Sequence, residues 1–135
     1  MRQTGREGEC IIMPEKNYED IKHEQASWLK TLDRLRQENV HLKNKLSEII
    51  QDDISRELLE KAEFFHGLFV DKDTVISLLR RDIAHQSAAT TAFVINGERL
   101  GIMDEQVKLE HDVARMEKEF KAVKTEFNEF LKSIP

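Results

Sequence analysis

The stretch from Ile54 to Ile83 constrains this chain more than any other. Its apolar residues, among them Leu58, Ala62, Phe65, Phe69, Ile76, Leu79 and Ile83, recur at helical spacing, and Leu68 and Val75 widen the band they form. Side chains three and four residues apart share one face of a helix. One neighbouring helix cannot cover a band this broad, so the fold must bring more than one surface against it. Phe64 and Leu78 fall outside the band. Burying a side chain of that size is worth about 1.5–3 kcal/mol, so the pair points to a second contact surface, such as a partner subunit. Gly67 interrupts the stretch, yet the apolar columns keep phase across it, which predicts a continuous helix.

Upstream, from about residue 15 to 51, the period is 3.5. Tyr18, Gln25, Leu32, Asn39 and Leu46 fall at heptad position a, and Ile21, Trp28, Leu35, Leu42 and Ile49 at d. A heptad sustained this long is the pattern of coiled-coil packing. Asn39 at an a position leaves three readings open: its amide finds a second amide across a parallel dimer, with Glu38 attracting Lys43 of the other chain, or it faces a polar group on another helix of the same chain, or it points to solvent. The Trp28, Leu35, Leu42, Ile49 spacing resembles a leucine zipper. Zipper transcription factors also carry a basic helix just upstream, and here that region reads Glu15, Lys16, Glu19, Asp20, Lys22, Glu24. It is not basic, so the resemblance implies pairing of helices without DNA binding.

Residues 51–55 break the stripe, and Asp53 or Ser55, with Glu57 behind it, marks a new helix start. Past Ile83 the residues become small: Ala84, Ser87, Ala88, Ala89, Thr90, Thr91 and Ala92. Asn96-Gly97 reads as a helix stop, and Asp104 as the N-cap of the next helix. In that last helix Leu109, Val113, Met116, Phe120, Val123, Phe127, Phe130 and Ile134 alternate by four and three. The short loop before it favours an antiparallel hairpin. Residues 1–16 read as a tail: Gly5 and Gly8 sit among charges, Pro14 stops a helix, and Cys10 to Met13 form a small apolar island. Met13 is an alternative start.

Composition narrows the function. Of 135 residues 35% are charged and only 2 are proline, as expected of long helices. The net charge of −5 argues against nucleic acid, whose phosphates need a basic footprint. No apolar run approaches the ~18 residues of a membrane span. A single cysteine, Cys10, forms no internal disulfide and fits a reducing, cytoplasmic setting.

Two patterns bear on chemistry. Asp20–His23, Glu38–His41, Glu63–His66 and Asp82–His85 each set a carboxylate three residues before a histidine, the spacing used by carboxylate-bridged metal sites in helical bundles. The run Arg81-Asp82-Ile83-Ala84-His85, in a helix followed by a turn and a helix, is similar to the phosphoacceptor region of histidine-kinase dimerisation hairpins. That resemblance implies phosphotransfer through His85. Gln86, Ser87, Ala88 and Ala89 stand where the family has an acidic residue, then Leu, Arg, Thr and Pro.

The expectation is therefore an all-α chain, a tail followed by one domain over 17–135, with helices at about 15–51, 54–95 and 104–133. The helices pack in coiled-coil fashion into an oligomeric bundle. The expected function is a non-enzymatic interaction or scaffolding protein that forms a homo-oligomer, a dimer above all, and binds other helical proteins. Trp28, Leu35, Asn39, Leu42, Phe64 and Leu78 are the expected interface residues. No cofactor, nucleic acid or membrane is implied. The alternatives are phosphotransfer by His85 and a carboxylate–histidine metal bundle.

Overall fold

The computed structural model describes residues 17–51, 54–96 and 101–135, without the side chains of 94–96. These form three helices, α1 (Tyr18–Gln51), α2 (Arg56–Asn96) and α3 (Ile102–Lys132), and no strand among the described residues. The tail over 1–16, with Cys10 and Met13, and residues Asp53 and Gly97 lie outside the described residues.

Local chemistry sets the helix ends. The Asn17 side chain accepts from the Asp20 backbone N–H at 2.8 Å and starts α1. Ser55 does the same for α2 through the Leu58 N–H at 3.3 Å, with Glu57 in the first turn. The start of α3 corrects the expectation at Asp104. Gly101 takes a left-handed φ of 78°, turning the chain early enough for Ile102 to be buried, and the helix begins at Ile102. Asp104 and Glu105 then lie in the first turn, where carboxylates favour the positive end of the helix dipole.

The three helices form a bundle in which α2 runs antiparallel to both neighbours. Lys22 meets Ser87 at one end of the α1–α2 seam, and Lys43 meets Asp73 farther along. Gln86 meets Ile102 and Gln106, while Lys72 meets Glu119 toward the other end of α3. α1 and α3 run in the same direction, with Gln106 bonded to Glu24 and Lys124 to Glu38.

Every a and d position of α1 from Ile21 to Leu46 is buried. Ala62, Phe65, Phe69, Ile76, Leu79 and Ile83 of α2 face it, as do Leu109, Val113, Met116, Phe120, Phe127 and Phe130 of α3. Four rings fill the end nearest the α1–α2 turn: Phe127 contacts Phe65 edge-on at 5.4 Å and Phe69 at 5.1 Å, and Phe130 stacks on Phe65 at 5.3 Å.

α2 continues through Gly67, as the phase of its columns predicts. A Cβ built on Gly67 meets nothing within 4 Å, so no close helix approach requires the glycine. Gly67→Ala is therefore expected to stabilise the fold by about 1 kcal/mol, because alanine is that much better inside a helix. An unchanged or lower urea midpoint would show that this exposed position carries a constraint other than helix propensity.

Candidate interaction surface

Two polar clusters interrupt the core, and both tie α1 to its own chain. Asn39 is fully buried. Its Nδ2 donates to the Phe69 carbonyl at 2.9 Å and to Asp73 Oδ1 at 2.6 Å, while Lys43 holds the other Asp73 oxygen. Glu38 pairs with Lys124 at 3.0 Å. Of the readings open for Asn39, the structure supplies the one within the chain, a polar partner on another helix. Asn39, Glu38 and Lys43 find their partners on α2 and α3, because an antiparallel α2 occupies the seam that a second α1 would have filled. Trp28, Leu35 and Leu42 are buried in the same core and present no surface to another chain.

The second cluster takes a glutamine from each helix. Gln25, Gln86 and Gln106 are all buried, together with Thr90. The Thr90 hydroxyl donates to the Gln86 carbonyl one turn earlier at 2.7 Å, so its oxygen accepts from Gln25 Nε2 at 3.1 Å. Gln106 Oε1 accepts from Gln25 at 3.2 Å and from Gln86 at 3.0 Å. Its Nε2 donates to the Ile21 carbonyl at 3.3 Å and to Glu24 at 2.9 Å. Each amide thus has one orientation that satisfies its donors. Gln86, Thr90 and Gln106 are polar and so do not register in an apolar stripe. They could have been found from phase alone: Ile83, Gln86 and Thr90 step by three and four, as do Ile102, Gln106 and Leu109.

Phe64, Val75 and Leu78 of α2 are among the large apolar residues left exposed, beside Leu59 and Val70 on the same helix, Tyr18, Val40 and Ile50 on α1 and Val107 on α3. Phe64 is 61% exposed and Leu78 44%. Val75, expected to widen the core band, is 38% exposed and belongs with them. Val75, Leu78 and Leu79 form one wall of a groove of about 760 Å³ between α2 and α3. The α3 wall carries Val107, itself 46% exposed, and then Asp104, Lys108, Asp112, Arg115 and Glu119, which alternate in sign. Asp112 bonds Lys108 at 2.8 Å and Arg115 at 3.6 Å. Its hydrogen bond, and next its charge, hold the Lys108 ammonium above its usual pKa of 10.5. Much of the groove's charge is therefore already balanced, and the apolar side chains are what remain to be covered.

His85 is exposed on α2, in a shallow recess lined by Asp82, Gln86, Ala89 and Glu105. Two carboxylates line that recess, which is unfavourable for holding a phosphoryl group. His23, His41 and His66 are also exposed, spread over two helices. No three His, Cys, Asp or Glu side chains converge on a metal position among the described residues. None of the described helices is long and apolar enough to cross a membrane. Comparison with family models, with curated proteins and with solved structures finds no match to this chain.

Proposed function

We propose that this protein is a non-enzymatic helical scaffold that works as a homo-oligomer, a dimer above all, through the exposed face of α2. The observation that carries this reading is Phe64 and Leu78. Both are large apolar residues exposed outside the core stripe of α2, on a face of the helix that they share with the exposed Val75. Exposed apolar residues that line up along one face, unlike those scattered singly, mark interaction sites. A single cysteine and the acidic balance fit a cytoplasmic setting.

The test is light scattering on the full chain at high micromolar concentration, with the double variant Phe64→Ser, Leu78→Ser beside it. The native chain is expected at a multiple of its single-chain mass, and the variant as a monomer with unchanged helix content. Neither residue is buried in the core, so their loss should leave the fold standing. A native chain that stays monomeric would overturn the reading.

A further inference from the structure

We infer that the occupant of this face is a second copy of the same helix, laid antiparallel across α2 about a two-fold axis at Leu78. This rests on the homo-oligomer reading above and assigns the contacts within it. α2 carries a second stripe besides its core stripe, running from Phe64 through Leu68, Asp71, Val75, Leu78 and onward to Ala92 in steps of four and three. None of the nine residues on it is buried. That spacing is the seam of a helix pair.

The stripe is asymmetric in size and charge, and the asymmetry decides the direction of pairing. Asp71 and His85 both lie seven residues from Leu78, and Phe64 and Ala92 both lie fourteen. In an antiparallel pair Leu78 meets Leu78 of the second copy. Asp71 meets His85, Leu68 meets Ala89, and Phe64, about 21 Å along the helix from the axis, meets Ala92. Large side chains then fall on alanines and an acid falls on an imidazole, twice over by symmetry. The Val75–Asp82 contacts are the polar steps in this seam. In a parallel pair Asp71 would oppose Asp71 and Asp82 would oppose Asp82. The two Phe64 rings would crowd while Ala89 and Ala92 left a gap. Like charges and mismatched volumes select against that arrangement. The run of small exposed residues at the end of α2 is thereby explained: it is the surface that receives Phe64.

The experiment is disulfide mapping in a Cys10→Ser background, which removes the one native thiol. Leu78→Cys is expected to cross-link to itself on mild oxidation. Phe64→Cys alone and Ala92→Cys alone are expected not to, whereas a mixture of the two chains links Phe64→Cys to Ala92→Cys. Asp71→Lys is expected to weaken the dimer about tenfold, equivalent to about 1.4 kcal/mol, and adding His85→Asp to restore it. A native chain that remains monomeric overturns this assignment together with the proposed function. A dimer in which Phe64→Cys links to itself, or in which Leu78→Cys does not link, overturns the antiparallel assignment alone.

Discussion

Phe127→Ala is expected to destabilise this protein by about 3–5 kcal/mol. Phe127 is completely buried and is the ring on which the aromatic end of the bundle converges, touching Phe65, Phe69 and Phe130. Truncation removes its transfer free energy, two edge-on ring contacts and the volume they enclose. The site cannot collapse cheaply, because Phe65 and Phe69 are fixed on one helix and Phe130 on the other. Folded domains are stable by only about 5–15 kcal/mol, so the loss is a large fraction of the whole. Urea denaturation followed by circular dichroism measures it. A cost near that of a surface substitution, about 0.5 kcal/mol or less, would mean that the aromatic end is not packed as described. Phe64→Ala is the control: that ring is exposed and edge-on to Phe65 at 5.6 Å, so in the isolated fold it should cost far less.

Gln106→Glu should be comparably damaging, by about 3–5 kcal/mol near neutral pH. The side chain is buried, and its Nε2 donates to Glu24 at 2.9 Å and to the Ile21 carbonyl. A carboxylate there loses both donors and places a negative charge against Glu24. Burial and the like charge both raise the folded-state pKa of the new carboxyl above its unfolded value of about 4.3. A group raised in the folded state binds its proton more tightly there. Folding is therefore penalised fully above the folded pKa, and the penalty shrinks as pH falls through it toward the unfolded value. The difference in urea midpoint between variant and native protein should be smaller at about pH 5 than at about pH 8. An equal difference at both would show that this layer is reached by solvent. Gln106→Met, similar in length and uncharged, should cost less, because Gln25 keeps Thr90 and Gln86 keeps the Ile102 carbonyl as partners.

The helices were readable from the chain because each is amphipathic over many turns. The heptad columns from Ile21 to Leu46, and the four-three alternation from Leu109 to Phe130, are the residues the bundle buries, apart from a half-buried Val123. The helix starts were less legible. Asp104 resembles a cap, but Gly101 can take a positive φ and so ends the turn first. At the candidate surface, Phe64 and Leu78 stood out because they left the core phase. Val75 did not, since it is adjacent to the core band in sequence projection and only the position of α3 leaves it uncovered.

By itself the sequence determined the type, number and apolar faces of the elements, because periodicity is a local property of the chain. It could not determine what each face meets. The partners of Asn39 are the Phe69 carbonyl and Asp73, thirty or more positions away, and a heptad looks the same whether its seam is filled by another copy of itself or by the next helix of its own chain. Only the tertiary arrangement decided that. Placing α2 antiparallel against α1 covers the α1 stripe from Ile21 to Leu46 within one molecule and leaves Phe64, Val75 and Leu78 of α2 exposed.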